Sequence, residues 1–151
     1  PQEVDEFFVA GLVHDIGKLV LALSMPMVYA KTLHYAKKNS LNGVKSEMKI
    51  IGMDHAEVGS LLAQKWSLSS GLVDTILYHH EPEKKEGRLT WVVHAANYFA
   101  QKKGYVNAGE FGQSELNSKS GEFLGLSEQE MEASLANLSE EIEKADVFLQ
   151  T

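Results

Sequence analysis

The sequence has no cysteine, which excludes a disulfide framework and a thiolate metal site. Any metal has to be held by imidazole, carboxylate and water, while the redox compartment stays open. Basic residues are few: 14 Lys and Arg stand against 21 Asp and Glu, for a formal charge of −7. No basic cluster exceeds the pairs Lys37-Lys38, Lys84-Lys85 and Lys102-Lys103, which read as solvated helix ends. Nucleic acid is therefore excluded as a partner. No apolar run reads as long as the 18 or so residues of a membrane span, and the acidic start is unlike a signal sequence. The expectation is a cytoplasmic domain with no membrane contact. Sustained period-2 alternation is missing too, which argues against a sheet and for an all-α fold.

What is present fits one ordinary domain. Hydrophobic residues make up 44% and charged residues 23% of 151 residues, which argues against disorder. A chain of this length buries roughly 68–70% of its unfolded surface. It starts at Pro1, which reads as a piece of a longer protein whose targeting lies outside this sequence.

The apolar periodicity predicts a first helix over residues 3–23, apolar around most of its circumference and hence central and buried, with Gly17 weakening or kinking it. Ser24 is a candidate cap before Pro26, which opens a second helix to about residue 39, and Asn42-Gly43 is the break. A third helix over 44–66 carries Met48, Ile51, His55, Val58, Leu62 and Trp66 on one stripe. A fourth starts at Ser69 or Ser70, presents Leu72, Val73, Ile76 and Leu77, and ends before Pro82. A fifth runs from about 90 to 103, with Val93, Ala96 and Ala100 inward and Gly104 as the C-terminal cap. Residues 1–103 thus read as a helical core and 104–126, rich in Gly, Ser and Asn, as an irregular connection. Ser127-Glu128-Gln129-Glu130 then forms a capping box. It opens an amphipathic helix over 127–151, with Met131, Leu135, Leu138, Ile142, Ala145 and Leu149 facing the core.

The chemistry lies where polar residues interrupt these stripes. His14-Asp15-Ile16-Gly17-Lys18 places an imidazole, a carboxylate and an ammonium between Phe7-Phe8-Val9-Ala10-Gly11-Leu12-Val13 and Leu19-Val20-Leu21-Ala22-Leu23. Asp and Lys are almost never buried unpaired, so this segment calls for a metal, an anion or each other. Adjacent side chains on a helix diverge by about 100°, so His14 and Asp15 can touch one metal or flank two. His55 sits on an apolar stripe, and His79-His80 closes a helix. Taken together they suggest one polyhistidine site for a divalent metal such as Fe, Mn, Zn, Ni or Mg. His34 reads as an exposed helix residue and His94 as a helix-face polar residue, and both stay outside the set.

The string Phe8-Val9-Ala10-Gly11-Leu12-Val13-His14-Asp15-Ile16-Gly17-Lys18-Leu19 resembles the HD superfamily. So do Gly52-Met53-Asp54-His55-Ala56-Glu57-Val58-Gly59, Ile76-Leu77-Tyr78-His79-His80-Glu81-Pro82 and Val92-Val93-His94-Ala95-Ala96-Asn97. It is most similar to the HDOD domain, the HD-related output domain of bacterial signalling proteins, over about residues 5–103. The resemblance implies an HD-like helical bundle around the helix of the His-Asp pair, with the N-terminal part of the HDOD domain absent. It implies relatives that are metal-dependent phosphohydrolases. In them His14 and Asp15 would be ligands, with Asp15 bridging two metals. His55, His79 and His80 would match the further ligands of the HD-GYP branch, and Lys18 the residue that meets a phosphate. The family's upstream His has no counterpart here, Asn97 replaces the closing Asp, and Glu83-Lys84-Lys85-Glu86-Gly87 stands where the GYP segment would be. Asn97 can offer a carbonyl oxygen but no charge, which weakens metal binding, and cyclic-dinucleotide hydrolysis is not supported.

Two functions follow. One is a metal-dependent phosphohydrolase, in which Asp15 and Lys18 would be catalytic. The other, favoured here, is a degenerate signalling module that keeps a metal or anion site. It would regulate other signalling domains or proteins without turnover, with a phosphate or nucleotide as ligand.

Overall fold

A computed structural model of the chain describes residues 2–85, 87–105, 109, 111–112, 115–138 and 140. Every regular element among the described residues is helical. In order they are α1 (Gln2–Val13), α2 (Ile16–Ser24), α3 (Pro26–Asn39), α4 (Gly43–Ile50), α5 (His55–Lys65) and α6 (Ser70–Tyr78). A 3-10 turn at Pro82–Lys84 follows, then α7 (Arg88–Lys102), α8 (Ser120–Leu124) and α9 (Glu128–Ala133).

The helix expected over residues 3–23 is two helices. His14 N–H still donates to the Ala10 carbonyl at 2.9 Å, but Asp15 leaves helical geometry at φ −99° and ψ 12° and becomes the N-cap residue of α2. Its carbonyl then accepts from Lys18 N–H at 2.9 Å. The segment is not buried all round either. Val4, Phe8 and Leu12 on α1 and Leu19 and Leu23 on α2 are each more than half exposed, and the inward face is Ala10, Gly17, Lys18 and Leu21. By length and composition Val4–Ser24 is apolar enough to cross a membrane: it has 21 residues with hydropathy 1.6, and 22% of the 18-residue window is buried. The sequence reads as having no apolar run of that length; this segment contains Asp15 and Lys18 and is divided into α1 and α2.

Gly17 is not the break but a contact. A Cβ there would collide with the His55 carbonyl oxygen and come within 2.8 Å of Gly59 N. A Cβ on Gly59 would meet Ile76 Cγ2 at 2.9 Å and Gly17 N at 3.1 Å. These two glycines let α2 and α5 cross at backbone distance.

The helix expected over 44–66 is also two. Gly52, at φ +86°, adopts left-handed geometry between α4 and α5. Asp54 then opens α5 with a capping box, accepting from Glu57 N–H at 2.8 Å while Glu57 accepts from Asp54 N–H at 3.1 Å. The stripe rotates as a result: Met48 and Trp66 are exposed. The buried residues are Gly43, Ser46 and Glu47 on α4, and His55, Ala56, Gly59, Ser60 and Ala63 on α5. Small residues face inward because α2 and α6 both pack closely on α5.

Elsewhere the differences are local. Met25, without a side-chain bond, caps α3 in place of Ser24, whereas Ser69 caps α6 by accepting from Leu72 N–H at 3.3 Å. Trp91, Val93, His94, Ala95 and Phe99 are the buried hydrophobic and histidine positions of α7, and Ala96 is exposed. Gly104 follows that helix at φ +90°. The stretch expected to be irregular contains α8. The Ser127–Glu130 capping box opens α9, and Met131 and Leu135 pack with Ala95 and Phe99. α9 ends at Ala133 and a turn over residues 134–137 follows, with Leu138 and Glu140 helical again; Ile142, Ala145 and Leu149 lie outside the described residues.

Candidate metal centre

Four helix ends meet around Asp15, which caps α2. His14 directly follows α1, His55 opens α5, and His79 and His80 follow α6. Asp15 is the hub. Its Oδ1 lies 3.2 Å from His55 Nε2 and 3.6 Å from His79 Nε2, while its Oδ2 lies 3.4 Å from His14 Nε2 and accepts from Lys18 Nζ at 2.9 Å. His55 Nε2 and His80 Nε2 are 2.9 Å apart. One ligand atom from each of Asp15, His55, His79 and His80 lies within 4.8 Å of the others. Ring centroids of His14 and His79 are 5.0 Å apart, and those of His55 and His79 are 5.6 Å apart, so the three helices that bear them converge.

The imidazoles are set in one orientation. His14 Nδ1 donates to the Gly11 carbonyl at 2.7 Å and His79 Nδ1 to the Ile76 carbonyl at 2.8 Å. A carbonyl can only accept, so each Nδ1 carries its proton and each Nε2 turns a lone pair inward in the neutral ring. Both of these Nε2 atoms are buried and make no hydrogen bond among the described residues. Inward nitrogen lone pairs beside a carboxylate fit a divalent transition metal.

Two residues of this site escape a reading of the sequence. Glu47, on α4, is 1% exposed, and its Oε2 accepts from His55 Nδ1 at 2.6 Å and from His55 N–H at 2.8 Å. Its Oε1 accepts from Tyr29 OH at 3.3 Å. His94 is buried and donates from Nδ1 to the His79 carbonyl at 2.8 Å, while its Nε2 accepts from Asn117 N–H at 3.0 Å. With both nitrogens engaged, His94 is a strut and not a ligand, whereas His34 is exposed as expected.

Asn97 is half-buried, and its Oδ1 accepts from Gln101 Nε2 at 3.3 Å. It lines two clefts that flank the cluster. One, of 310 Å³, is bordered by His80, Lys45 and Glu81; the other, of 300 Å³, by His14, Phe7 and Tyr105.

The charges support each other. Burial would raise the Asp15 carboxyl, but the His55 and His79 rings beside Oδ1 and the His14 ring and Lys18 ammonium beside Oδ2 hold it well below the usual carboxylate range. Burial likewise works against ionised Glu47, and the His55 ring outweighs it, so its carboxyl is lowered. Burial disfavours protonated His55 as well, yet the Asp15 and Glu47 carboxylates push it up to about 9. His14 is lowered, mainly by burial, and His80 well lowered by burial and by the His79 and His55 rings.

A family model described as the HDOD domain matches residues 1–82. An uncharacterised protein of Treponema pallidum (strain Nichols) is 25% identical over 96 residues, which are 61% of this chain and 19% of that protein. A crystal structure from Shewanella amazonensis SB2B, of a protein provisionally named a phosphohydrolase, matches with a TM-score of 0.60 at 24% identity. That match covers 84% of this chain and 52% of the other, and at this identity it shows a shared fold. The chain thus spans about half of that structure and about a fifth of the Treponema protein.

Proposed function

This chain belongs to the HDOD domain family, and from that premise we propose that it is a bacterial, cytoplasmic signal-transduction module. In this reading it is a degenerate phosphohydrolase that keeps one metal centre and transmits its state to partner domains or proteins without turnover. The observation that carries the reading is the Lys18 ammonium 2.9 Å from Asp15 Oδ2. A second metal bridged by Asp15 would need that oxygen, and a lysine cation already sits on it, beside His14. Asn97 adds no anion to offset a second divalent charge. Asp15, His55, His79 and His80 would hold one cation, which when bound supplies Lewis acidity and a water of lowered pKa. The Lys18 ammonium neutralises the other edge of the carboxylate, with the His14 ring beside it.

The alternative is an active metal-dependent phosphohydrolase, favoured by the 310 Å³ cleft that opens beside His80 and Asn97. There Lys18 would swing from Asp15 to a phosphate. Elemental analysis of anaerobically purified protein, paired with a phosphodiester hydrolysis assay, separates the two. We expect one metal per chain and no hydrolysis. Two metals per chain with metal-dependent turnover, abolished by His14→Ala or Asp15→Ala, would establish the enzyme instead.

A further inference from the structure

We infer that Glu47 is a positioning residue of the metal centre, acting through His55: its charge fixes which nitrogen of His55 faces a cation and how strongly that nitrogen binds. The inference rests on the metal-binding reading above.

The three candidate-ligand imidazoles with an Nδ1 hydrogen bond, His14, His55 and His79, differ in one respect. His14 and His79 lean on neutral backbone carbonyls, whereas His55 leans on a carboxylate at 2.6 Å. That carboxylate comes from α4, across the Gly52 turn, and is itself held by His55 N–H and Tyr29 OH. Because Glu47 binds both the backbone and the ring of one residue, His55 can neither rotate nor exchange Nδ1 for Nε2 without breaking a buried charged hydrogen bond. A carboxylate behind a ligating imidazole also raises the basicity of the nitrogen in front. The helix-capping role of Glu47, accepting from the first N–H of α5, requires only an acceptor oxygen and no charge. The two roles therefore separate in Glu47→Gln, whose amide oxygen can still accept from His55.

The experiment is a titration of the full chain with Mn2+ alone, following bound metal. If Glu47 acts by charge, Glu47→Gln should weaken Mn2+ binding about 10- to 100-fold while the metal-free protein melts near the wild-type temperature. In a His55→Ala background the same substitution should change nothing further, since its effect runs through that ring. Equal Mn2+ affinity in wild type and Glu47→Gln overturns the inference and leaves the metal reading intact. A wild-type chain that binds no Mn2+, Zn2+ or Fe2+ overturns both. Should Glu47→Gln not fold, imidazole 15N spectra of the wild-type Zn2+ form decide. A protonated Nδ1 and a metal-shifted Nε2 on His55 are expected, and a metal-shifted Nδ1 would overturn the inference.

Discussion

His94 holds the carbonyl of His79 at 2.8 Å and receives the N–H of Asn117 at 3.0 Å, so one neutral imidazole ties the turn bearing two candidate ligands to α7 and to the segment before α8. Replacing it by a ring of similar size without nitrogens, His94→Phe, leaves a buried carbonyl and an N–H without those partners. A destabilisation of about 1–3 kcal/mol is expected, read as a lower Tm. An unchanged Tm would show that the turn is held by other means.

Gly17→Ala probes the crossing of α2 and α5. On an exposed helix this change stabilises by up to about 1 kcal/mol. Here the new methyl falls on the His55 carbonyl, and overpacking of that kind costs about 1–3 kcal/mol. The expected net effect is a lower denaturation midpoint together with weaker metal binding, because the displaced helix end carries His55. A variant more stable than the parent would show that the two helices separate freely.

The metal-free protein should be most stable near pH 6.5 and lose stability on both sides. His14, His80 and His94 are lowered from 6.5, chiefly by burial. The unfolded chain binds protons at these positions first, so their contribution is full above about pH 6.5 and is lost as pH falls below it. His55 has the opposite sign. Burial opposes its protonation, but Asp15 and Glu47 push it up to about 9, so its contribution is full below about pH 6.5 and is gone once pH passes about 9. Thermal melts from pH 5 to 10 would record this, and His55→Gln should flatten the alkaline limb. A Tm that climbs steadily from pH 5 to 9 would contradict the assignment.

Asn97→Asp restores a carboxylate beside the clefts on either side of the cluster. It should raise metal content per chain, because a charged ligand joins imidazoles that carry no negative charge. Turnover is not expected to follow, since Lys18 remains on Asp15. Elemental analysis shows the first, and phosphodiester hydrolysis the second. Unchanged metal content would place Asn97 outside the centre.

His14, Asp15, His55, His79 and His80 were legible in the sequence because polar residues stand out against apolar stripes. Glu47 was not, and the reason lies in register. Treating residues 44–66 as one helix turned Met48 inward, and only the break at Gly52 with its Asp54–Glu57 box turns Glu47 there instead. That box was itself visible as Asp54-x-x-Glu57, and it was the signal for a new helix start. His94 was hidden for another reason. Its two partners, the His79 carbonyl and the Asn117 amide, are backbone groups distant in sequence, and no side-chain pattern reports them. The exposed faces of α1 and α2 were misread because an apolar stripe does not say what covers it.

The breaks after Val13 and before His55 have an electrostatic consequence. Had residues 3–23 and 44–66 each run as one helix, the cluster would lie beside helix interiors, where backbone dipoles cancel along the axis. Instead four termini point at it: the C-terminal ends of α1 and α6, each equivalent to roughly half a negative charge, and the N-terminal ends of α2 and α5, each to roughly half a positive one. Two ends of each sign sum to almost nothing, so the backbone imposes little net potential on the ion. Asp15 caps the N-terminal end of α2 and His14 and His79 follow the C-terminal ends of α1 and α6, the termini that suit each, whereas His55 stands at the N-terminal end of α5, where the Asp15 and Glu47 carboxylates offset the helix end. A cation here is therefore attracted almost entirely by side chains, and adding or removing a single carboxylate changes the net field of the whole centre.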